Sequence, residues 1–232
     1  MKSRKPELDK IKIRHLTLAE RHLLPEILDL LNRTQGQGLF NTAYVEKFIN
    51  TGFLNEETSS GAKDKSGRDN CKGRMFLAFE NNQPKTAVTK PATHDVFSEA
   101  NLIGAAGAEL ISNYDYYLPF EANLNEKFAG KIVGSFATMT VHEKYQGQGI
   151  GQKLSQARLN WLKEMKADYI IGVSWVSGLK HTSDRVFEKM GFKPVKKVEG
   201  FYTEYAKKHP FDCPGCKAPA CTCAAVMYLK TL

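Results

Sequence analysis

Two short stretches of this 232-residue chain carry residue types in spacings that chemistry could use. The first is YQGQGIG, residues 145–151, placed between the apolar run KIVGSFATMTV and the segment QKLSQARLNWLKEM. A strand that runs into a glycine-rich turn opening a helix aims several backbone N–H groups, and the positive end of the helix dipole, at one point, where an anion belongs. Glycine is suited there because the backbone must curl closely around its ligand. The second stretch is HPFDCPGCKAPACTC, which spaces Cys213, Cys216, Cys221 and Cys223 as C-x2-C-x4-C-x-C. Four thiolates meet the tetrahedral demand of a structural zinc ion, and Pro214 with Gly215 allows a tight knuckle. The pairs are closer together than in most zinc ribbons. An iron–sulfur cluster, redox disulfides, or a site in which His209 replaces one cysteine therefore stay open. A closed four-cysteine site has no position for substrate, so its expected role is to pin the loop ahead of the last strand, AAVMYLKTL.

Spacing decides what the glycine turn could hold. A nucleoside-triphosphate phosphate loop needs Lys and then Ser or Thr after its last glycine, but Gln152, Lys153 and Leu154 follow Gly151. A dinucleotide fingerprint needs G-x-G-x-x-G, whereas Gly147, Gly149 and Gly151 give G-x-G-x-G, with Gln152 where the third glycine should stand. What fits is Gln146-x-x-Gly149-x-Gly151, the Q/R-x-x-G-x-G/A pattern. With it, and with SDRVFEKMGF downstream, the chain resembles the GNAT superfamily of N-acetyltransferases over most of its length.

That resemblance implies an α/β fold with a mixed central sheet flanked by helices, acetyl-CoA as cosubstrate, and direct transfer of acetyl to a primary amine in a ternary complex. It places the pantetheine arm along Met139, Thr140 and Val141, and the pyrophosphate on Gln146, Gly147, Gln148, Gly149, Ile150, Gly151 and Gln152. The family often takes its proton donor from the Tyr of a Y-E-K-x-G-F phrase; here Phe187 stands in that place, and a phenyl ring cannot donate. Tyr202 and Tyr205 are the downstream substitutes, and Glu109 and Glu143 the nearest candidate bases. His142 and His181 are isolated histidines of the capping or surface kind. Direct transfer needs no nucleophilic cysteine, so Cys71 is incidental. The acceptor, a small-molecule or protein amine, is expected in a groove between the first two helices and SNYDYYLPFE, where Tyr114, Tyr116 and Tyr117 could cover it and Asp115 suits a cation. The rival reading is a non-catalytic CoA-binding sensor or scaffold whose zinc knuckle meets a protein or nucleic-acid partner.

The elements that must position these residues follow from periodicity and breakers. IKIRHLT reads as a strand, LPEILDLLNR as a helix with Pro25 in its first turn, and AYVEKFIN as a helix with Tyr44, Phe48 and Ile49 on one face. MFLAFE, NLIGAAGAELI, KIVGSFATMTV and DYIIGVSWV read as strands. After the glycine turn, Ile150, Leu154, Ala157, Trp161 and Met165 recur at the spacing of a buried helical stripe. Polar stretches near 55–74 and 81–98 and the cysteine loop at 209–224 are expected as excursions from a single domain spanning 1–232.

With 42% apolar and 25% charged residues the chain can bury a substantial core. No run approaches the roughly 20 apolar residues of a membrane span, and the charged start lacks a secretory h-region, so a cytoplasmic location without membrane contact is expected. The net charge of +8 is spread along the chain rather than gathered in blocks. Charge alone does not choose among nucleic acid, an acidic acceptor and a polyanionic cofactor; nucleic acid is not the favoured partner, and a homodimer is left open.

Overall fold

A computed structural model describes residues 10–50, 73–80, 101–178, 183–217 and 220–232. Cys71, His181, the stretch 81–98 and most of 55–74 lie outside the described residues.

The elements in order are β1 (Ile11–His15), α1 (Leu24–Gln35), α2 (Thr42–Asn50), β2 (Gly73–Glu80), β3 (Asn101–Ile111), α3 (Leu124–Lys127), β4 (Val133–Val141), α4 (Ile150–Glu164), β5 (Tyr169–Val176), α5 (Asp184–Lys189), β6 (Lys193–Val198), α6 (Thr203–Lys208) and β7 (Ala224–Thr231). Seven strands form one sheet in the order β1-β2-β3-β4-β5-β7-β6. Every neighbouring pair is antiparallel except β4 and β5, which run parallel. The fold class is thus mixed α/β, as the motifs implied. Gly73 and Arg74 belong to β2, so the polar stretch read as reaching residue 74 stops before the strand.

Both faces of the sheet are covered, which explains why GRMFLAFE is apolar without alternation. Phe76 and Ala78 pack with Ala106, Phe136 and the α4 side chains Leu154, Trp161 and Leu162. Met75, Leu77 and Phe79 point the other way, into Ile27, Leu31, Val45 and Phe48 of α1 and α2. α1 carries its proline in the first turn and stops at Gly36, whose φ of +142° no side chain adopts readily. A third cluster packs Tyr114, Tyr117, Phe120 and Phe128 against Ile171 and Met227.

The strand not foreseen is β6. Its sequence, KPVKKV, is exposed at five of six positions and forms the sheet edge. Lysines and a proline blunt such an edge against pairing with other chains, and they also hide it from a reading based on apolar alternation.

The feature that shapes the site is a parting of β4 from β5. They pair from Val133 opposite Tyr169 to Phe136 opposite Gly172 and no further. Beyond that point β4 continues to Val141 alongside β3, and β5 continues to Val176 alongside β7. The parting coincides with a bulge: Ala106 faces Met139 and Ala108 faces Phe136, so Ala137 and Thr138 together oppose Gly107. An extra residue bends its strand and raises the local twist, which swings β4 away from β5. Below the parting, two glycines let helices close on the pair. A Cβ on Gly134 would lie 2.7 Å from Leu162, and one on Gly172 would lie 2.5 Å from the Phe187 ring.

Candidate functional site

A long open groove follows the parting, from the 146–152 turn, past Ala137 and Thr138, to Tyr44, Glu109, Tyr116 and Tyr202. The turn is built as the glycine spacing demands. Gly147 has φ +74° and Gly149 φ +84°, both left-handed. Gly149 is the N-cap of α4 and offers no side chain to the first turn. The first intrahelical bond runs from Lys153 N–H to Gly149 O at 3.0 Å, so the N–H groups of Ile150, Gly151 and Gln152 precede any helical partner. They face the groove together with the positive end of a 15-residue helix. Gln146 is used differently: its N–H bonds Glu143 O at 3.3 Å, and its side-chain amide donates to Val141 O at 2.9 Å. Tyr145 braces the turn by donating to Glu80 at 2.6 Å, and that bond raises its phenol to about 12.

Along the parted edge of β4, α1 supplies the polar contacts. Gln35 Nε2 donates to Thr138 Oγ1 at 2.7 Å and to Met139 O at 3.1 Å, and Thr34 Oγ1 is hydrogen-bonded to Thr140 Oγ1. The carbonyls of Met139 and Val141 therefore face away from β3 and are held by glutamine side chains. Main-chain groups presented in this way suit an extended, amide-bearing ligand laid beside the strand.

At the bulge the groove is lined by groups from both faces. Tyr44, on α2, is hydrogen-bonded to the Thr138 backbone, and burial, then the nearby Glu109 carboxylate, push its phenol well up. Glu109 receives Lys47 Nζ at 2.8 Å, which makes it one half of an ion pair. Glu143 is exposed, 3.7 Å from Arg33, and His142 Nδ1 accepts the Lys144 N–H at 3.2 Å, so that histidine is a local cap. Phe187 is core, packed with Phe136, Phe192 and Tyr228.

Tyr202 lies on the other side of the groove. Its ring sits 5.5 Å from Trp175, its hydroxyl is bonded to Tyr116, and burial followed by Tyr116 raises it well above the ordinary phenol range. Tyr205 is 42% exposed and stacks on His209. Of the three tyrosines expected to cover the acceptor, Tyr114 and Tyr117 are core residues, Tyr117 bonding Ser135 Oγ at 2.8 Å. Tyr116 alone presents its ring, 51% exposed, while its hydroxyl is tucked against Tyr202.

The four cysteines converge. Their Sγ atoms all lie within 4.8 Å of one another, in a cluster with Phe211, Trp175 and Tyr202. Cys213 and Cys223 are 3.7 Å apart, close to the edge of about 3.8 Å that a tetrahedron with 2.3 Å metal–sulfur bonds requires. The Cys216 N–H points at Cys213 Sγ from 3.3 Å, and a Cβ on Gly215 would strike Ser177 O at 2.4 Å. Trp175 Nε1 is buried without a formed hydrogen bond among the described residues and lies beside Cys223, whose thiol burial pushes up, with the indole N–H working against that rise. The donor set, the spacing and this buried donor fit a divalent metal held by four sulfurs. The knuckle also reaches across to the segment just after α1, since Asp212 N–H bonds Gln37 O at 3.0 Å.

Arg158, Gln35 and Trp175 are not singled out by the sequence, and Tyr44 reads there only as part of a packed helix face. A signal existed for Arg158, which sits four residues after Leu154 and three before Trp161, inside the apolar stripe.

The parted parallel pair, the bulge and the glycine turn opening α4 together make this the fold of GNAT acetyltransferase structures. A family model described as an acetyltransferase (GNAT) domain matches residues 96–194, from β3 to the start of β6. Among solved structures, an Arabidopsis thaliana NAA60 in complex with acetyl-CoA is similar at TM-score 0.60 and 13% identity, covering 96% of this chain and 98% of that one. A NatC complex bound to Gag peptide and CoA gives 0.57 and 14%, covering 96% and 99%. A GNAT family acetyltransferase from Elizabethkingia anophelis with acetyl-CoA bound gives 0.52 and 15%, covering 97% and 99%. No curated protein sequence matches the chain. Among the described residues, no helix is long and apolar enough to cross a membrane.

Proposed function

We propose that the protein transfers an acetyl group from acetyl-CoA to a primary amine, of a small molecule or a protein, by direct attack in a ternary complex. The observation that carries this reading is the parting of β4 from β5, which begins at Phe136 and Gly172 and leads out to the glycine turn and the N-terminus of α4. Phosphates would sit on the N–H groups of 147–152, and the pantetheine amides along Met139 to Val141. The thioester would then lie at the Ala137–Thr138 bulge. The match of residues 96–194 to the acetyltransferase domain supports it, as does the likeness to structures that hold CoA, acetyl-CoA or a bisubstrate analogue.

Glu109 and Tyr202 remain the proposed proton-handling residues. For Glu109 to accept the amine proton, its ion pair with Lys47 must open; Tyr202 is protonated at neutral pH, so its role would be that of donor, and burial makes it a weaker acid than an ordinary phenol. Cys213, Cys216, Cys221 and Cys223 would hold a zinc ion that closes the knuckle without taking part in the chemistry. The test is calorimetric titration of metal-quantified protein with acetyl-CoA, followed by an amine panel read as thiol release. Binding with turnover is expected. No binding sinks the transferase reading, and binding without turnover across the panel favours a CoA sensor.

A further inference from the structure

Arg158 is among the largest wholly buried side chains of the described residues, 1% exposed, and it is a cation. Guanidinium groups are almost never buried unless a carboxylate pairs with them. Here every hydrogen-bond and ring contact among the described residues is neutral. One terminal nitrogen donates to Ser155 Oγ at 2.8 Å and lies 3.4 Å from Met139 Sδ; the other lies 3.4 Å from Gly107 O. The guanidinium carbon stands 4.0 Å over the Phe136 ring. Among the described residues Nε has no hydrogen-bond partner. Desolvation pulls the group down to about 9, which leaves it charged at neutral pH.

The contacts place that charge. Gly107 is the residue opposite the bulge, Phe136 and Met139 bracket the bulge, and Arg158 itself lines the groove. From the opposite face of the sheet, Tyr44 reaches Thr138 at the same spot. An arm laid along β4 from Val141 to Ala137 covers about 13 Å at 3.3 Å per residue, so its reactive end arrives there.

We propose that Arg158 is the buried cation that stabilises the negative charge developing on the thioester during acetyl transfer. The proposal rests on the acetyltransferase reading above. The amine lone pair forms the new C–N bond at the thioester carbonyl while the carbonyl pair moves to oxygen. Collapse returns that pair and breaks the C–S bond, whose electrons leave on sulfur as thiolate; the proton lost by the new ammonium balances it. The resemblance to the GNAT superfamily leads one to expect a tyrosine hydroxyl that could meet the sulfur's charge, but Phe187 stands in that place and has none to offer. Arg158 meets it with a fixed positive charge that is itself shielded from water, where a charge acts more strongly than in solvent.

The test compares Arg158→Met and Arg158→Lys with the wild type. The first readout needs no acceptor: ionisation of the thiol of bound CoA, followed by thiolate ultraviolet absorbance against a desulfo-CoA blank. The other titratable groups around the bulge, Tyr44 and Lys47 of α2, Glu109 of β3 and Tyr117, are unchanged in all three proteins. Arg158→Met should leave the bound thiol about tenfold less ionised at a given pH, with Arg158→Lys in between. In the amine that the wild type acetylates fastest, kcat should fall about 100-fold in Arg158→Met while the acetyl-CoA Kd stays within about threefold. The thermal midpoint should hold or rise, because an apolar chain of similar volume relieves an unpaired buried charge. Unchanged thiol ionisation and kcat, or an Arg158→Met protein that no longer folds while Arg158→Lys keeps full thiol ionisation and turnover, would overturn the proposal by marking a structural arginine. Failure of the wild type to bind CoA would instead strike the acetyltransferase reading beneath it.

Discussion

Gly149→Ala and Gly151→Ala, two residues apart in the same turn, should separate. Gly149 is left-handed at φ +84° and caps α4. An L-residue there costs about 1–2 kcal/mol, which for a chain of this size lowers the melting midpoint by roughly 2–8 °C. Its Cβ would also stand where N–H groups must approach an anion. Gly151 lies inside the helix, and a Cβ there would meet Met139 Cε at 3.5 Å, an ordinary contact. Alanine at this site should stabilise the helix by about 0.5–1 kcal/mol and raise the midpoint by roughly 1–4 °C. Calorimetric titration with acetyl-CoA, run beside thermal melts, should show at least about a tenfold loss for Gly149→Ala and no more than about a threefold change for Gly151→Ala. If Gly149→Ala lowers the midpoint yet binds acetyl-CoA as well as wild type, the turn is structural and the cradle assignment is refuted.

Other expectations follow from the same geometry. If the four converging sulfurs hold a metal ion as proposed, stripping the protein with a thiol-competitive chelator should release one ion per chain and lower the melting midpoint, with added zinc rebinding and restoring the midpoint; metal analysis and melts read this out. Gly172→Ala should destabilise the protein by about 1–3 kcal/mol in denaturant titration, since its Cβ would lie 2.5 Å from the buried Phe187 ring. Tyr145 has its phenol raised to about 12 by Glu80, so its contribution to stability is whole below about pH 10 and is lost as pH climbs toward 12. Tyr145→Phe should flatten that part of the pH–stability curve measured by chemical denaturation.

What could be read directly from the sequence was local. Gly147 and Gly149 permit a left-handed turn at little cost, and the Gln146-x-x-Gly149-x-Gly151 spacing sets that turn at a helix start. The four cysteines fall within eleven residues, so a short chain segment is enough to bring their sulfurs together. The i, i+4, i+7 stripe of α4 announced a buried helix for the same reason. Other features depend on the packing of distant elements. Tyr44, Gln35, Glu109, Thr138 and Arg158 are spread over more than one hundred residues and meet only because β3, β4, α1, α2 and α4 stack around one bulge. Register placed Met139 and Val141 with their carbonyls toward the parted edge, since β-strand groups alternate sides and a shift of one residue would have turned them to β3. Burial of Arg158 was likewise a decision of the fold. An arginine on a helix face ordinarily carries its charge out to water. Here the Gly107 backbone, Ser155 and the Phe136 face enclose it instead.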